Sequence, residues 1–355
     1  GEIQFTSSMT RFCIVGPNTD PQRFCEMVVQ SQEMWHLESP KLLLSIMGGA
    51  GGMNLQPAVE AHFCEGLVGA AQQTGGWVIT GGTDSGVMDL VGKAMHKHDP
   101  RRTVPCIGIA PFGACKEKWR MELEKEENGD TSETMFVEAP RKEDLIGDTL
   151  AGLQQHHTHC VLVDSGDRGM TAFGKELEFR ECFEQYIARK LKNSARIGDS
   201  TQDSFNKRTD SSSSLTVTPS ISDILRVMIL VNGGPVSFQA MSNAIKHDCP
   251  VVVCDGSGRA ADFVAALKLK RLADYAEAWT THMTAPADQK MGIEGFIEGF
   301  EGGEKALRDI VESPCVTVYT TEDRLEEEIL SAVWQHMISK NLDKEQLTIG
   351  LRRAL

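Results

Sequence analysis

The sequence predicts an α/β fold, a parallel sheet with helices on both faces, and three observations carry that expectation. Six hydrophobic runs end in glycine: LLLSIMGGAGG (Leu42–Gly52), WVITGGTDSG (Trp77–Gly86), CIGIAPFG (Cys106–Gly113), VLVDSGDRG (Val161–Gly169), VMILVNGGP (Val227–Pro235) and VVVCDGSGRAAD (Val251–Asp262). Each reads as strand, glycine turn and helix-compatible segment, and helix-length stretches separate them, the pattern of parallel strands joined by crossover helices. Such connections bring the glycine turns to one sheet edge, where α/β proteins hold ligands. Hydrophobic residues fill 41% of the 355 positions, enough for a sizeable core.

Composition narrows the partners. A formal net charge of −14 opposes binding to the phosphate backbone of nucleic acid and to anionic lipid, whereas a local positive pocket can still hold a small anion. The ten cysteines are scattered without a CxxC pair, and Cys106, Cys160 and Cys254 lie inside apolar runs, so they read as reduced core residues of a cytosolic protein. No apolar stretch reaches the roughly 20 residues that cross a bilayer, so no direct membrane insertion is expected of this sequence.

Along the chain, Thr10–Val15 is a strand candidate, and Pro21 onward has helical spacing, with Phe24, Met27, Val28 and Met34 on the apolar face. After the run at Leu42, four glycines between Met47 and Pro57 (Met47, Gly48, Gly49, Ala50 and beyond) allow close backbone approach to a ligand or simply a flexible turn. An amphipathic helix follows at Ala58–Gln73. In Gly81–Gly86, the residues Gly81, Gly82 and Thr83 lead into Asp84 and Ser85, which can cap the helix Val87–His96 or bond a ribose hydroxyl. The charged stretch at about 116–142 reads as a solvated insertion.

His156–Cys160 (HHTHC) has metal-ligand residue types but runs straight into a strand, where neighbours point to opposite faces, so it is expected to hold no metal. Phe173 precedes the helix Lys175–Leu191, and Arg180 lies two helical turns on, near the same face. The pair can embrace an adenine base or a pyrophosphate, or can be a core Phe beside a surface Arg. The Ser/Thr-rich stretch at about 192–220 is low in apolar residues and is expected to be a disordered insertion.

Val251–Asp262 is the clearest binding signal. Four strand residues, the turn Gly256, Ser257, Gly258, and Arg259 opening a helix place backbone N–H groups and a forked cation where a phosphate is favoured. The other reading is a turn that needs glycine only for its angles. Beyond it come the helix Asp262–Arg271, an acidic, Gly-rich region at Gly292–Glu304, the strand Cys315–Thr321 and the helix Arg324–Ser339. Residues 1–340 are expected to form one domain, with 341–355 the start of a truncated helical region.

Together PKLLLSIMGGA (Pro40–Ala50), TGGWVITGGTDSGVMDLVGKAM (Thr74–Met95), CIGIAPFG, HTHCVLVDSG (His157–Gly166), NGGP (Asn232–Pro235) and VVVCDGSGRAAD resemble the N-terminal cytoplasmic homology region of melastatin-type TRP cation channels, the TRPM family. The resemblance runs from about Thr10 to the chain end and lapses in the charged and serine-rich stretches. It implies a Rossmann-like fold of the SLOG group with a helical C-terminal segment, on the cytoplasmic side of a plasma-membrane, Ca2+-permeable, tetrameric channel. The partners it implies are other subunits and the remaining channel cytoplasmic domains.

Phe173-Gly174 with Arg180, and GSGR ending at Arg259, look most like the ADP-ribose-activated member of that family. What this implies is a receptor for ADP-ribose or a related adenine nucleotide, with no further cofactor. Gly48-Gly49, Gly233-Gly234 (with Pro235 and Ser237) and Gly256–Gly258 would hold pyrophosphate and ribose, Arg180 and Arg259 would neutralise charge, and Phe173 would stack on the base. Family members commonly have tyrosine at the Phe173 position, so a phenol hydrogen bond is absent and stacking is kept. The SLOG group also holds LOG enzymes with a PGGxGTxxE motif. Here Val236, Ser237 and Ala240 replace its Gly, Thr and Glu, and losing that carboxylate argues for binding without turnover. Two other readings are a hydrolase using Asp84, Glu176 or Asp255, and a non-binding subunit-assembly module in which Arg180 pairs with Glu176.

Overall fold

A computed structural model describes residues 1–49, 51, 55–117, 119–120, 136–140, 150–197, 225–320 and 323–339. Among the described residues, ten strands form one sheet: β1 (Glu2–Gln4), β2 (Met9–Val15), β3 (Leu42–Gly48), β4 (Trp77–Thr80), β5 (Cys106–Pro111), β6 (Phe136–Glu138), β7 (His159–Val163), β8 (Leu225–Val231), β9 (Val251–Cys254) and β10 (Val316–Tyr319). Their order across the sheet is β10-β9-β8-β3-β4-β5-β7-β2-β1-β6. Every pair is parallel except β1 with β2. The six glycine-ended runs are β3, β4, β5, β7, β8 and β9, so their turns share one edge, as the sequence predicts.

Strand side chains alternate between two faces, and each face is covered. In β3, Leu42, Leu44 and Ile46 join one core cluster, while Leu43 joins another. In β8, Val227, Ile229 and Val231 likewise oppose Met228 and Leu230. On the first face lie α2 (Pro57–Thr74), α3 (Gly86–His98) and the C-terminal helix Leu325–Ser339. On the other face, α4 (Leu177–Ile197) covers the β4–β7 region, and α5 (Pro235–Lys246) and α6 (Arg259–Lys268) cover β8 and β9. Gly66 of α2 lets the C-terminal helix approach closely, since a Cβ there would stand 2.8 Å from Leu325 Cβ.

Several boundaries differ from expectation. The helix at Pro21 is four residues long (α1, Pro21–Phe24), followed by a π turn at Cys25–Val29. Of the expected apolar face only Phe24 is fully buried, together with Cys25, Val29 and Trp35, while Met27 and Met34 are exposed, because the chain passes through a π turn and a loop instead of continuing a helix. The Gly-rich acidic region is helical. Behind α7 (Tyr275–His282) come α8 (Pro286–Gly299) and α9 (Gly303–Glu312), with Gly292 at φ 65 and ψ 168 breaking α8 in its middle. Residues 192–197, expected in the Ser/Thr-rich insertion, continue α4, whose Lys, Arg and Leu content favours helix. The remainder of that stretch and residues 341–355 lie outside the described residues. Inside the expected charged insertion, β6 pairs with β1, Trp119 is buried against Phe5, and most of the rest is again outside the described residues. Among the described residues, no helix is long and apolar enough to cross a membrane.

Candidate functional site

From β3 the chain proceeds to β4, β5 and β7 on one side, then returns at β8 beside β3 and proceeds to β9 and β10 on the other. The β3/β8 border is therefore the topological switch point, where open α/β sheets leave a crevice at the strand ends. Gly48 pairs with Val231 there, so Gly49 and Asn232 begin the two turns side by side. A Cβ at Gly48 would overlap the Val231 carbonyl oxygen and press on Val87 Cγ1, so only glycine fits.

Three helices of eight or more residues start at this crevice. The N-terminus of α3 touches it through Val87 N–H, which donates to Gly49 O at 3.3 Å. Helix α5 starts at Pro235, and Ser237 Oγ accepts from Gly234 N–H at 3.2 Å. Helix α6 starts at Arg259, with Ala260 and Ala261 N–H groups donating to Gly233 O and Asn232 O. Each contributes a positive dipole end to the same place, a field that favours an anion.

The turn after β9 is locked by its own residues. Gly256 and Gly258 have φ of 80° and 99°, a region that disfavours side chains. Ser257 is buried, its Oγ accepts from Asn232 N–H at 2.8 Å, and its carbonyl accepts from Asn232 Nδ2 at 3.0 Å. Ser257 and Ser237 thus shape turns.

Arg259 reaches over the crevice. Its Nε and Nη2 both donate to Asp288 Oδ2, at 2.9 and 2.6 Å. A Cβ added at Gly49 would lie 3.3 Å from Nη1, and one at Gly234 would lie 2.8 Å from Nη2. The guanidinium therefore occupies space that two missing side chains leave open.

Arg180 is placed differently from Arg259. It is buried, with Nε on Glu184 Oε1 at 2.8 Å and Nη2 on Ser45 Oγ, Ile46 O and Ile79 O at 3.0 to 3.3 Å. It braces α4 against the ends of β3 and β4, and its carboxylate partner is four residues later in the helix, not Glu176. Phe173 is 40% exposed, on the loop between β7 and α4. The alternative of a core Phe with a surface Arg is thus inverted at both residues.

Other sequence candidates separate. Gly82 packs against Gly108 of β5, where a Cβ would stand 2.9 Å from the Gly108 Cα, and its N–H bonds Thr80 Oγ1. Gly81 borders Met88, and Thr83 is buried with its hydroxyl 3.1 Å from Ser85 Oγ. Met47 packs at the margin of the β8–β9 core. Ala50 lies outside the described residues. Asp84 accepts from Gly152 N–H at 2.8 Å, and Asp255 pairs with Arg271 at 2.7 Å. Glu176 is buried, and that burial raises its pKa.

In the histidine cluster, His157 shares a 2.6 Å hydrogen bond with Thr80 Oγ1, and His159 packs on Trp35. Burial pushes both down to about 3. Among the described residues no group of three His, Cys, Asp or Glu converges on a point. Two contributors escaped sequence reasoning: Asn232, whose place before two glycines was its available signal for the φ of 61 it adopts, and Asp288, which has no local signal because its partner is 29 positions away.

A parallel sheet with glycine turns, helix N-termini and an arginine at its switch point belongs to the Rossmann-like class. Within that class, a family model described as "SLOG in TRPM" matches residues 10–283, and the chain belongs to that family. It is 29% identical over 330 residues to the Nematostella vectensis "Transient receptor potential cation channel subfamily M member-like 2", covering 90% of this chain and 19% of that protein. It is 31% identical over 263 residues to mouse "Transient receptor potential cation channel subfamily M member 1" (73% of this chain, 14% of that protein). To mouse "Transient receptor potential cation channel subfamily M member 2" it is 29% identical over 273 residues (75% and 16%). The chain spans under a fifth of the length of these relatives.

Proposed function

We propose that this chain is a cytoplasmic ligand-sensing domain of a Ca2+-permeable TRPM channel, binding ADP-ribose or a related adenine nucleotide at the β3/β8 switch point to promote gating, without turnover. The observation that carries the reading is the convergence of Arg259 and three helix N-termini on the turns Gly48-Gly49 and Gly233-Gly234. Those groups suit a pyrophosphate, and the exposed Phe173 ring is available to stack on a base. The other channel subunits and cytoplasmic domains are its partners in this reading. Ligand binding gates the pore only insofar as closed and open arrangements differ in affinity, so the cleft draws together around the nucleotide.

Binding without turnover is supported by Ala240 standing where LOG enzymes carry glutamate, and by Asp84 and Asp255 being tied to Gly152 and Arg271. Calorimetric titration with ADP-ribose, followed by chromatography of the recovered nucleotide, tests the reading. Saturable binding with intact ligand is expected. Product formation would favour the hydrolase, and no binding would favour a subunit-assembly module.

A further inference from the structure

Arg259 is the most constrained residue of the crevice. It sits at the first position of α6 with φ 47, a left-handed conformation that a long side chain adopts only when its surroundings hold it. The backbone is held by Ala260 and Ala261 N–H groups on the β8 turn. The head is held by Asp288, a buried carboxylate in the first turn of α8. Nε and Nη2 use the lateral edge of the guanidinium on one oxygen, Asp288 Oδ2. Of the five N–H donors that a guanidinium carries, the three that remain are one on Nη2 and two on Nη1, and these nitrogens stand beside Gly234 and Gly49.

Asp288 is itself fixed from α7. Its carbonyl accepts from Trp279 Nε1 at 3.2 Å, and the Trp279 ring stacks on Phe296 at 4.9 Å and lies beside Phe238 of α5 and Phe263 of α6. The half of α8 that carries Asp288 ends at Gly292, whose non-helical angles separate it from the half that carries Phe296. A change at Arg259 therefore passes through one ion pair into a short helical segment with a break behind it. Helices α7 and α8 lie outside the sheet, so they can move without unpairing a strand.

We infer that Asp288 is the positioning residue of this anion site, orienting Arg259 toward the ligand and coupling site occupancy to the hairpin Tyr275–Gly299. The inference rests on the nucleotide reading of the site. An anion seated on the Gly49 and Gly234 turns takes the free guanidinium edge while Asp288 keeps the other. The two carboxylate bonds then shorten the search of Arg259 for its bound geometry, and ligand binding tightens the Arg259–Asp288–Trp279 chain.

The test is hydrogen exchange of the 355-residue chain with and without saturating ADP-ribose, for the native sequence and for Asp288→Asn and Trp279→Phe. In the native sequence, slowed exchange is expected at 48–49, 232–234 and 256–260 and also across 275–299. Asp288→Asn is expected to bind about tenfold more weakly, and at re-established saturation to keep protection at the turns but lose it in 275–299. Trp279→Phe, which keeps the ring packing, is expected to reduce protection in 275–291 and serves if Asp288→Asn does not fold. Native binding with unchanged exchange in 275–299, or an unaltered response in the variants, overturns this inference and leaves the nucleotide reading standing. Absence of saturable binding to the native chain overturns both.

Discussion

Replacing Arg180 with alanine separates a brace from a ligand contact. The side chain is 5% exposed, and its partner Glu184 is 4% exposed. Their 2.8 Å pair is shared with the Ser45 hydroxyl, and Arg226 Nη1 stands 3.5 Å from the other carboxylate oxygen. Removing one partner of a buried pair leaves a charge without compensation and costs about 3–5 kcal/mol. Arg226 and Ser45 remain to offset part of it here, so the expected loss is at the low end, about 3 kcal/mol. The carbonyls of Ile46 and Ile79 lose a donor as well. With a urea m-value of about 3 kcal/mol/M, the midpoint falls by about 1 M. Replacing Glu184 with methionine as well does not recover the loss, because the buried Arg226 then loses its carboxylate partner. A cost for Arg180→Ala below about 1 kcal/mol would refute the reasoning, because the residue would then be free to serve a ligand.

Other outcomes follow from the same geometry. Gly48→Ala costs about 3 kcal/mol of stability, since its Cβ meets the rigid Val231 carbonyl, whereas Gly234→Ala meets the movable end of Arg259 and weakens ADP-ribose binding about tenfold with little loss of stability. Equal stability of the two variants in urea would contradict this. His157 and His159 are held neutral chiefly by burial, aided by Arg102 and by Arg11 respectively, with pKa of about 3. The unfolded chain takes up these protons near pH 6.5, so stability falls as pH drops from about 6.5 toward 3, by about 2 kcal/mol for the two between pH 6.5 and 5.5. Urea midpoints that do not move over that range would exclude both groups as the source. Burial pushes the thiols of Cys106, Cys160 and Cys254 up, so iodoacetamide labels the exposed Cys182 in the native protein and the three only after unfolding. Native-state labelling of Cys254, read by peptide mass, would show that its burial is transient.

The strands were legible because their signal is local: β-branched runs that end in glycine fix both the element and the edge at which its turn lies. Val251–Asp262 folds as read, with β9 ending at Cys254 and α6 opening at Arg259. Strand order was not legible. Placing β8 beside β3, which creates the switch point, depends on pairing residues nearly two hundred positions apart. The same limit hid Asp288, since an ion pair between elements leaves no spacing in the chain, whereas Glu184 stands four residues after Arg180 in the same helix, a spacing that Glu176 offers equally on the other side. For Arg180, the two-turn spacing from Phe173 predicted a shared face, which the structure does not give: α4 turns Arg180 under β3 and β4, where backbone carbonyls and a carboxylate occupy its donors, while Phe173 is exposed. Phe173 lies outside the helix, and there periodicity says nothing of direction.

In the proposed function, the β3/β8 crevice holds a nucleotide through Arg259. Calorimetric titration of the native chain and of Arg259→Ala with ADP-ribose, beside their urea midpoints, tests it most directly. The expected result is a loss of about 1.5–3 kcal/mol in binding, one charge-assisted contact to phosphate, with nucleotide recovered intact from the native chain. Equal affinity in the two proteins would contradict it.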